Sequence, residues 1–235
     1  MKIKWIVLLS AFGMMAAAQA ALVEDFESYT TGSTISNDTG GVWTDIKGNG
    51  NPTIATDGSN QFLKNWGGLA EGAYRALDQT YSSGLVTAEF DIWTDTLVND
   101  CTFGLANGGS NANWNDFGAY IGVLGTSFKA RNLNSNTTVA SITNGVVYSV
   151  KIVANVDTAT YDVFLDNALV ADDFAFRSGG ATTFDALKML SNRSTATIAD
   201  GVYVDNISVI PEPATMGLFA FFGAGLLAVR RRMKM

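Results

Sequence analysis

Val146-Val147-Tyr148-Ser149-Val150-Lys151-Ile152-Val153-Ala154-Asn155, a turn around Asp157-Thr158-Ala159, then Thr160-Tyr161-Asp162-Val163-Phe164-Leu165-Asp166: this stretch decides the fold. Apolar and polar residues alternate along both arms, the period of a strand whose side chains point to opposite faces in turn. Turn formers separate the arms, which predicts an antiparallel hairpin. Asp166-Asn167 then opens a second tight turn into Ala168-Leu169-Val170.

The same pattern extends outward. In Val86–Thr94, the residues Val86, Ala88, Phe90 and Ile92 share one parity and are expected in the core, while Thr87, Glu89, Asp91 and Trp93 share the other. Phe117, Ala119, Ile121 and Val123 repeat it, with Gly118, Tyr120 and Gly122 opposite. A last strand is predicted over Val202–Val209, with Ile210 and Pro211 ending the domain. From Ala21 to Val209 the only proline is Pro52 and no helical period is sustained, so the class predicted is an antiparallel all-β sandwich or barrel. Gly40–Asn60 and Ala106–Asn115 read as long loops, which places Trp43 and Trp114, and likewise Trp66, in loops.

The hairpin resembles the central hairpin of laminin G-like, concanavalin A-like jelly rolls, in which an aromatic-x-V-x-I strand turns into Y-x-V-Y-L-D-G. Tyr148 takes the aromatic position and Asn167 stands where the turn glycine would be, a substitution that a positive-φ site accepts. Leu22-Val23-Glu24-Asp25-Phe26-Glu27 and Val204-Asp205-Asn206-Ile207 resemble the first and last strands of that superfamily. The resemblance spans nearly all of 21–209 and implies a jelly-roll fold, but one fold hosts lectins, adhesins, hydrolases and lyases.

Both ends read as addresses. Lys2 and Lys4, the apolar run Trp5–Ala18 and Ala18-Gln19-Ala20 form the three regions of a signal peptide over 1–20, with Ala21 the first mature residue. Residues 211–235 hold Pro211-Glu212-Pro213, an apolar run at 214–229, and a basic end that includes Arg230, Arg231 and Arg232. The run is slightly shorter than the roughly 17–25 residues of a typical spanning helix, and the basic cluster would keep the C-terminus cytoplasmic. The ordered set resembles the PEP-CTERM sorting signal. That resemblance implies recognition by an exosortase, a membrane-embedded cysteine transpeptidase, with an inner-membrane intermediate and delivery to the cell surface or extracellular matrix. A permanent single-span anchor is the alternative.

Composition narrows the chemistry. Of 15 basic residues, two lie in the head and four in the tail; of 22 acidic residues, only Glu212 does, so 21–210 carries a formal charge of about −12. That balance argues against nucleic acid as a partner and suits divalent cations or neutral sugars. The chain has no histidine, which removes the common triads and imidazole–zinc sites. Cys101 is the only cysteine and reads as a small buried hydrophobe.

Two constellations remain. Glu89-Phe90-Asp91 begins like the E-x-D-x-x-E strand of laminarinase-type glucanases, where paired glutamates about 5.5 Å apart act as nucleophile and acid/base. Here Trp93 and Thr94 occupy the positions where a second glutamate would stand. What is left is a strip of Glu89, Asp91 and Trp93, with Tyr120 expected near it: either a sugar platform or a surface covered by ordinary packing. Asp205 shares parity with Tyr203, Ile207 and Val209 and is expected on an apolar side, where an unpaired carboxylate is costly. By position it resembles the aspartate that holds a structural Ca²⁺ in the superfamily, with Glu24 or Asp25 adding an oxygen; bonding to backbone amides is the alternative. The expectation is a non-catalytic protein that binds extracellular polysaccharide or mediates adhesion. A polysaccharide-degrading enzyme of the same fold and a purely structural matrix protein are the alternatives.

Overall fold

A segment becomes a half-exposed strand where apolar residues alternate, and a doubly buried one where they run continuously; this chain uses both. The computed structural model describes residues 22–38, 42–47, 52–66, 68–96, 100–108, 111–192 and 201–211. The strands are β1 (Leu22–Glu24), β2 (Trp43–Asp45), β3 (Pro52–Thr56), β4 (Gln61–Asn65), β5 (Leu69–Tyr81), β6 (Leu85–Thr94), β7 (Asp100–Ala106) and β8 (Phe117–Leu124). They continue as β9 (Ser127–Asn132), β10 (Ser135–Ser141), β11 (Tyr148–Asn155), β12 (Thr160–Leu165), β13 (Ala168–Ala175), β14 (Phe184–Asn192) and β15 (Val202–Pro211). Two antiparallel sheets form a sandwich. The first runs β13-β12-β11-β6-β15-β4-β3, with β1 also paired to β15, and the second β10-β9-β8-β7-β14-β5-β2. The signal peptide and, apart from Pro211, the sorting motif and membrane segment lie outside the described residues.

The deciding hairpin forms as its pattern predicts. β11 and β12 pair from Val150↔Leu165 to Asn155↔Thr160. Asp166 and Asn167 take φ of 48° and 68°, the left-handed pair that a two-residue hairpin turn requires. Val86, Ala88, Phe90 and Ile92 of β6 all face the core, where Phe90 meets Phe103 of the other sheet edge-on at 4.7 Å. Tyr161 of β12 reaches across the sandwich, accepting from the Arg131 amide at 2.9 Å and donating to the Arg131 carbonyl at 2.6 Å. Cys101 is buried, and burial pushes its thiol well above the usual range, as a packing role requires.

Three expectations are corrected. The loop expected over Gly40–Asn60 contains β2 and β3, and Trp43 is a fully buried core residue of β2. The last strand runs on to Pro211, which pairs with Val86. Asp205 does not share a face with Ile207 and Val209. The β6–β15 register slips between Asp205 and Ser208, and Asn206 takes φ 50°. This bulge reverses the alternation, so Val204 and Ile207 both enter the core while Asp205 joins Tyr203 on the outer face. The bulge falls where the neighbour of β15 changes from β4 to β1.

Candidate functional site

Outward residues of β6 alternate with its core residues, which aims Glu89, Asp91 and Trp93 at the outer face of the first sheet. They do not act as one strip. Glu89 stands apart, its carboxylate 3.6 Å from Lys151 of β11. Asp91 and Trp93 instead line a concavity of about 350 Å³ with Asn60, Phe62, Asp205 and Asn206 among its other walls. Asp205 and Asp91 are direct partners in the β15–β6 register, so the bulge that turned Asp205 outward also brought it to Asp91.

Polar groups around the two carboxylates are fixed by local turns. Asp57 Oδ1 accepts from the amides of Ser59 and Asn60 at 2.9 and 3.0 Å, an Asx-type turn that sets the β3–β4 connection. From that turn Asn60 Nδ2 donates to Asp205 Oδ2 at 2.7 Å. Asn206 Nδ2 donates to Asp91 Oδ2 at 2.9 Å from the bulge itself. Asp205 is 1% exposed, and its Oδ1 is buried without a hydrogen-bond partner. Burial pushes its carboxyl above the usual range, the hydrogen bonds from Asn60 and the Asn206 amide oppose that shift, and the charges of Asp91 and Glu27 add to it.

The apolar wall is a small aromatic stack. Trp93 lies over Tyr203 at 5.2 Å and 19°, and Phe62 meets both rings edge-on at 4.8 and 5.3 Å. Tyr203 in turn donates its hydroxyl to Asp95. The indole is half-buried. One face packs against Tyr203, and the ring still borders the concavity, so the platform and packing readings each describe part of it.

Two expected groupings do not assemble. Tyr120 lies on β8 of the opposite sheet, 4% exposed in a separate apolar cluster with Phe117 and Leu190, because its parity points it away from the sandwich interior and from the first sheet. Of the oxygens expected to join Asp205, those of Glu24 are engaged elsewhere. Glu24 points inward, where Oε2 accepts from Trp43 Nε1 and Tyr29 OH at 3.1 Å each and from Arg75, and Oε1 from the Phe26 amide. Its oxygens are committed, and Asp205 faces the other side of the sheet. Asp25 is exposed and accepts from the Glu27 amide at 3.2 Å. Among the described residues no group of three or more carboxylate, thiol or imidazole side chains is placed to hold a metal. Asn60, Asn206, Phe62 and Tyr203 are members that the sequence reading missed; Asp57-Gly58-Ser59-Asn60 is a legible turn, but nothing local says that it folds over Asp205.

No protein-family profile and no curated protein sequence matches the chain. Its fold is similar to that of a sialidase, at 11% identity and TM-score 0.59 over 83% of this chain and 19% of that one. It is similar also to a carbohydrate esterase from Shiga toxin-encoding bacteriophage phi24B, at 11% identity and TM-score 0.53 over 84% and 100%. An alginate lyase matches at 17% identity and TM-score 0.51 over 82% and 97%. The chain therefore spans about a fifth of the sialidase and the full length of the esterase.

Proposed function

We propose that this chain is an exported, non-catalytic carbohydrate-binding domain of the laminin G-like jelly-roll type, holding neutral glycan in the Asp91–Trp93–Asp205 concavity. The observation that carries the reading is the half-buried Trp93 indole and the half-buried Asp91 carboxylate lining one concavity. The Asp91 carboxylate can accept from sugar hydroxyls, and the C–H face of a pyranose fits against an aromatic wall. Among the described residues no basic side chain lines the concavity, which favours neutral over acidic sugars. The carbohydrate esterase and alginate lyase share the fold at low identity, and both are named for carbohydrate substrates.

The test is retention of the full chain on a panel of neutral polysaccharides. Trp93→Ala and Asp91→Asn should each weaken retention about tenfold, about 1.4 kcal/mol. Asp205→Asn is the folding control. A carboxyl whose folded pKa is raised contributes stability fully below its unfolded value and loses that contribution as pH rises through the folded one. The amide should therefore be more stable than the carboxylate at pH 7, with the difference vanishing near pH 3. Unchanged retention in both the Trp93 and Asp91 variants would sink the proposal.

Hydrolysis is the second reading, and one observation favours it. Asp91 and Asp205 face each other across β6 and β15, and burial keeps Asp205 toward its acid form, the division of labour that a glycosidase uses. Release of reducing ends from a polysaccharide that the chain retains would replace binding with catalysis.

Export and sorting through the Pro211–Arg232 signal by an exosortase, with the cell surface or matrix as destination, rest on the sequence. The C-terminal mass of chain recovered outside the cell should end near Pro211, and an intact Met235 there would contradict processing.

A further inference from the structure

We propose that the outer face of the second sheet carries a separate site for glycans bearing oxyanions, uronate or sulfate, independent of the neutral-sugar concavity on the first sheet. A concavity of about 200 Å³ opens there, with Lys129, Arg131 and Arg177 around it and Tyr120 and Trp114 among its walls. Lys129 and Arg131 alternate with core residues Phe128 and Ala130 along β9, so strand geometry alone aims both outward. Gly122 pairs with Lys129 on one side and Thr102 on the other. A Cβ at Gly122 would come within 3.0 Å of Thr102 Oγ1, so glycine keeps that floor open. Arg177 enters from beyond β13, its Nη1 3.5 Å from the Tyr120 hydroxyl and its Nε 3.3 Å from Asn115 Oδ1.

Charge pairing sets these three apart. Elsewhere Lys47 and Lys151 lie 3.8 and 3.6 Å from Glu71 and Glu89, while Arg75 and Lys188 pair with Glu24 and Asp116. Among the described residues no carboxylate pairs with Lys129, Arg131 or Arg177, although the chain has 22 acidic residues against 15 basic. Arg131 is held by neutral acceptors, Leu133 O at 3.0 Å and Asn136 Oδ1 at 3.3 Å, and Lys129 by Thr138 Oγ1. Asp100 is the carboxylate at the rim, and burial pushes it toward its neutral form. Cations held open by neutral partners around a recess are arranged for an incoming anion. Guanidinium matches a carboxylate or sulfate with two parallel hydrogen bonds. Nucleic acid fits less well: its phosphates come close together, and around this one recess the domain carries about −12 by formal count.

The experiment is titration of the full chain in detergent with oligogalacturonate, dextran sulfate, neutral dextran and single-stranded DNA. Wild type should bind at least one of the two acidic glycans, with affinity falling as salt screens the charges. Arg131→Gln/Arg177→Gln should weaken that binding at least tenfold while leaving the thermal midpoint and neutral-polysaccharide retention unchanged. Binding of uncharged dextran as tight as dextran sulfate, no acidic-glycan binding at millimolar ligand, or no effect of the double variant would overturn the proposal. DNA binding tighter than either acidic glycan would overturn the glycan assignment. Neither face depends on the other, so failure here leaves the Trp93 concavity untouched.

Discussion

Replacing Arg75 with methionine is expected to cost the domain about 3–5 kcal/mol of stability. Glu24 belongs to β1 in the first sheet, whereas Arg75 and Trp43 belong to β5 and β2 in the second, so their bonds to the carboxylate tie the layers together. The Glu24 side chain is 6% exposed and Arg75 19%. Without the guanidinium the carboxylate stays in the interior with only neutral donors: Trp43 Nε1, Tyr29 OH and the Phe26 amide. Tyr29 remains a donor at any working pH, because burial and the Glu24 charge push its phenol up to about 12. Breaking a buried pair from one side is costly, whereas removing both charges is far milder. The double variant Glu24→Gln/Arg75→Met should therefore recover most of the loss. Urea midpoints of the three proteins decide it: a single-variant loss below about 1 kcal/mol, or a double variant no better than Arg75→Met, would show the pair is not needed.

Asp116→Asn is the other large effect, about 3 kcal/mol, toward the lower end for a broken buried pair. Lys188 sits in the middle of β14 with its side chain 0% exposed, flanked by β7 and β5. Its ammonium donates to Asp116 and to the Asn111 carbonyl at 2.7 Å, with the Asn113 carbonyl at 3.4 Å, and the carbonyls temper the loss. Burial pushes the ammonium below its usual range and Asp116 opposes that shift, so removing Asp116 lets it fall further. For a group with a depressed folded pKa, stability is present above the unfolded value, near 10.4, and is lost as pH falls through the folded one. The variant should accordingly be closest to wild type at about pH 10 and furthest from it at neutral pH, a gap read from paired urea titrations. A pH-independent gap would mean that the loss comes from packing. Because Asp116 closes the turn that carries Trp114, the variant should also loosen one wall of the basic recess.

What was legible in the sequence was local. Alternation in β6 and β11, and Asp166-Asn167 with both residues in left-handed conformation, are properties of a few consecutive residues, and they identified the sandwich. β5 and β14 were not recognised. Leu69-Ala70-Glu71-Gly72-Ala73 and Phe184-Asp185-Ala186-Leu187-Lys188 carry no clean period: β14 is covered on both faces along most of its length, and in β5 the successive residues Gly72 and Ala73 are both buried. The site was legible in part. Asp91, Trp93 and Asp205 were read as candidates, but as members of two groups. A single inserted residue at the bulge reversed the face of Asp205 and made them one. Nothing local to Glu24 in the sequence signals that Trp43 and Arg75 will meet it across the sandwich. The basic recess depends on Arg177 folding back over β8, which no spacing announces.

The position of β15 has a mechanical consequence. Its ladder to β6 runs from Val202 to Pro211, and its other edge is held by β4 and then β1, so the strand that ends the described domain lies in the interior of a sheet. Interstrand hydrogen bonds lie perpendicular to the strands. A pull on the backbone at Pro211 directed along β15 therefore loads these ladders in shear, where many bonds share the force, and does not unzip them one by one. A domain held by that end would resist drag and turbulence better than one suspended from an edge strand.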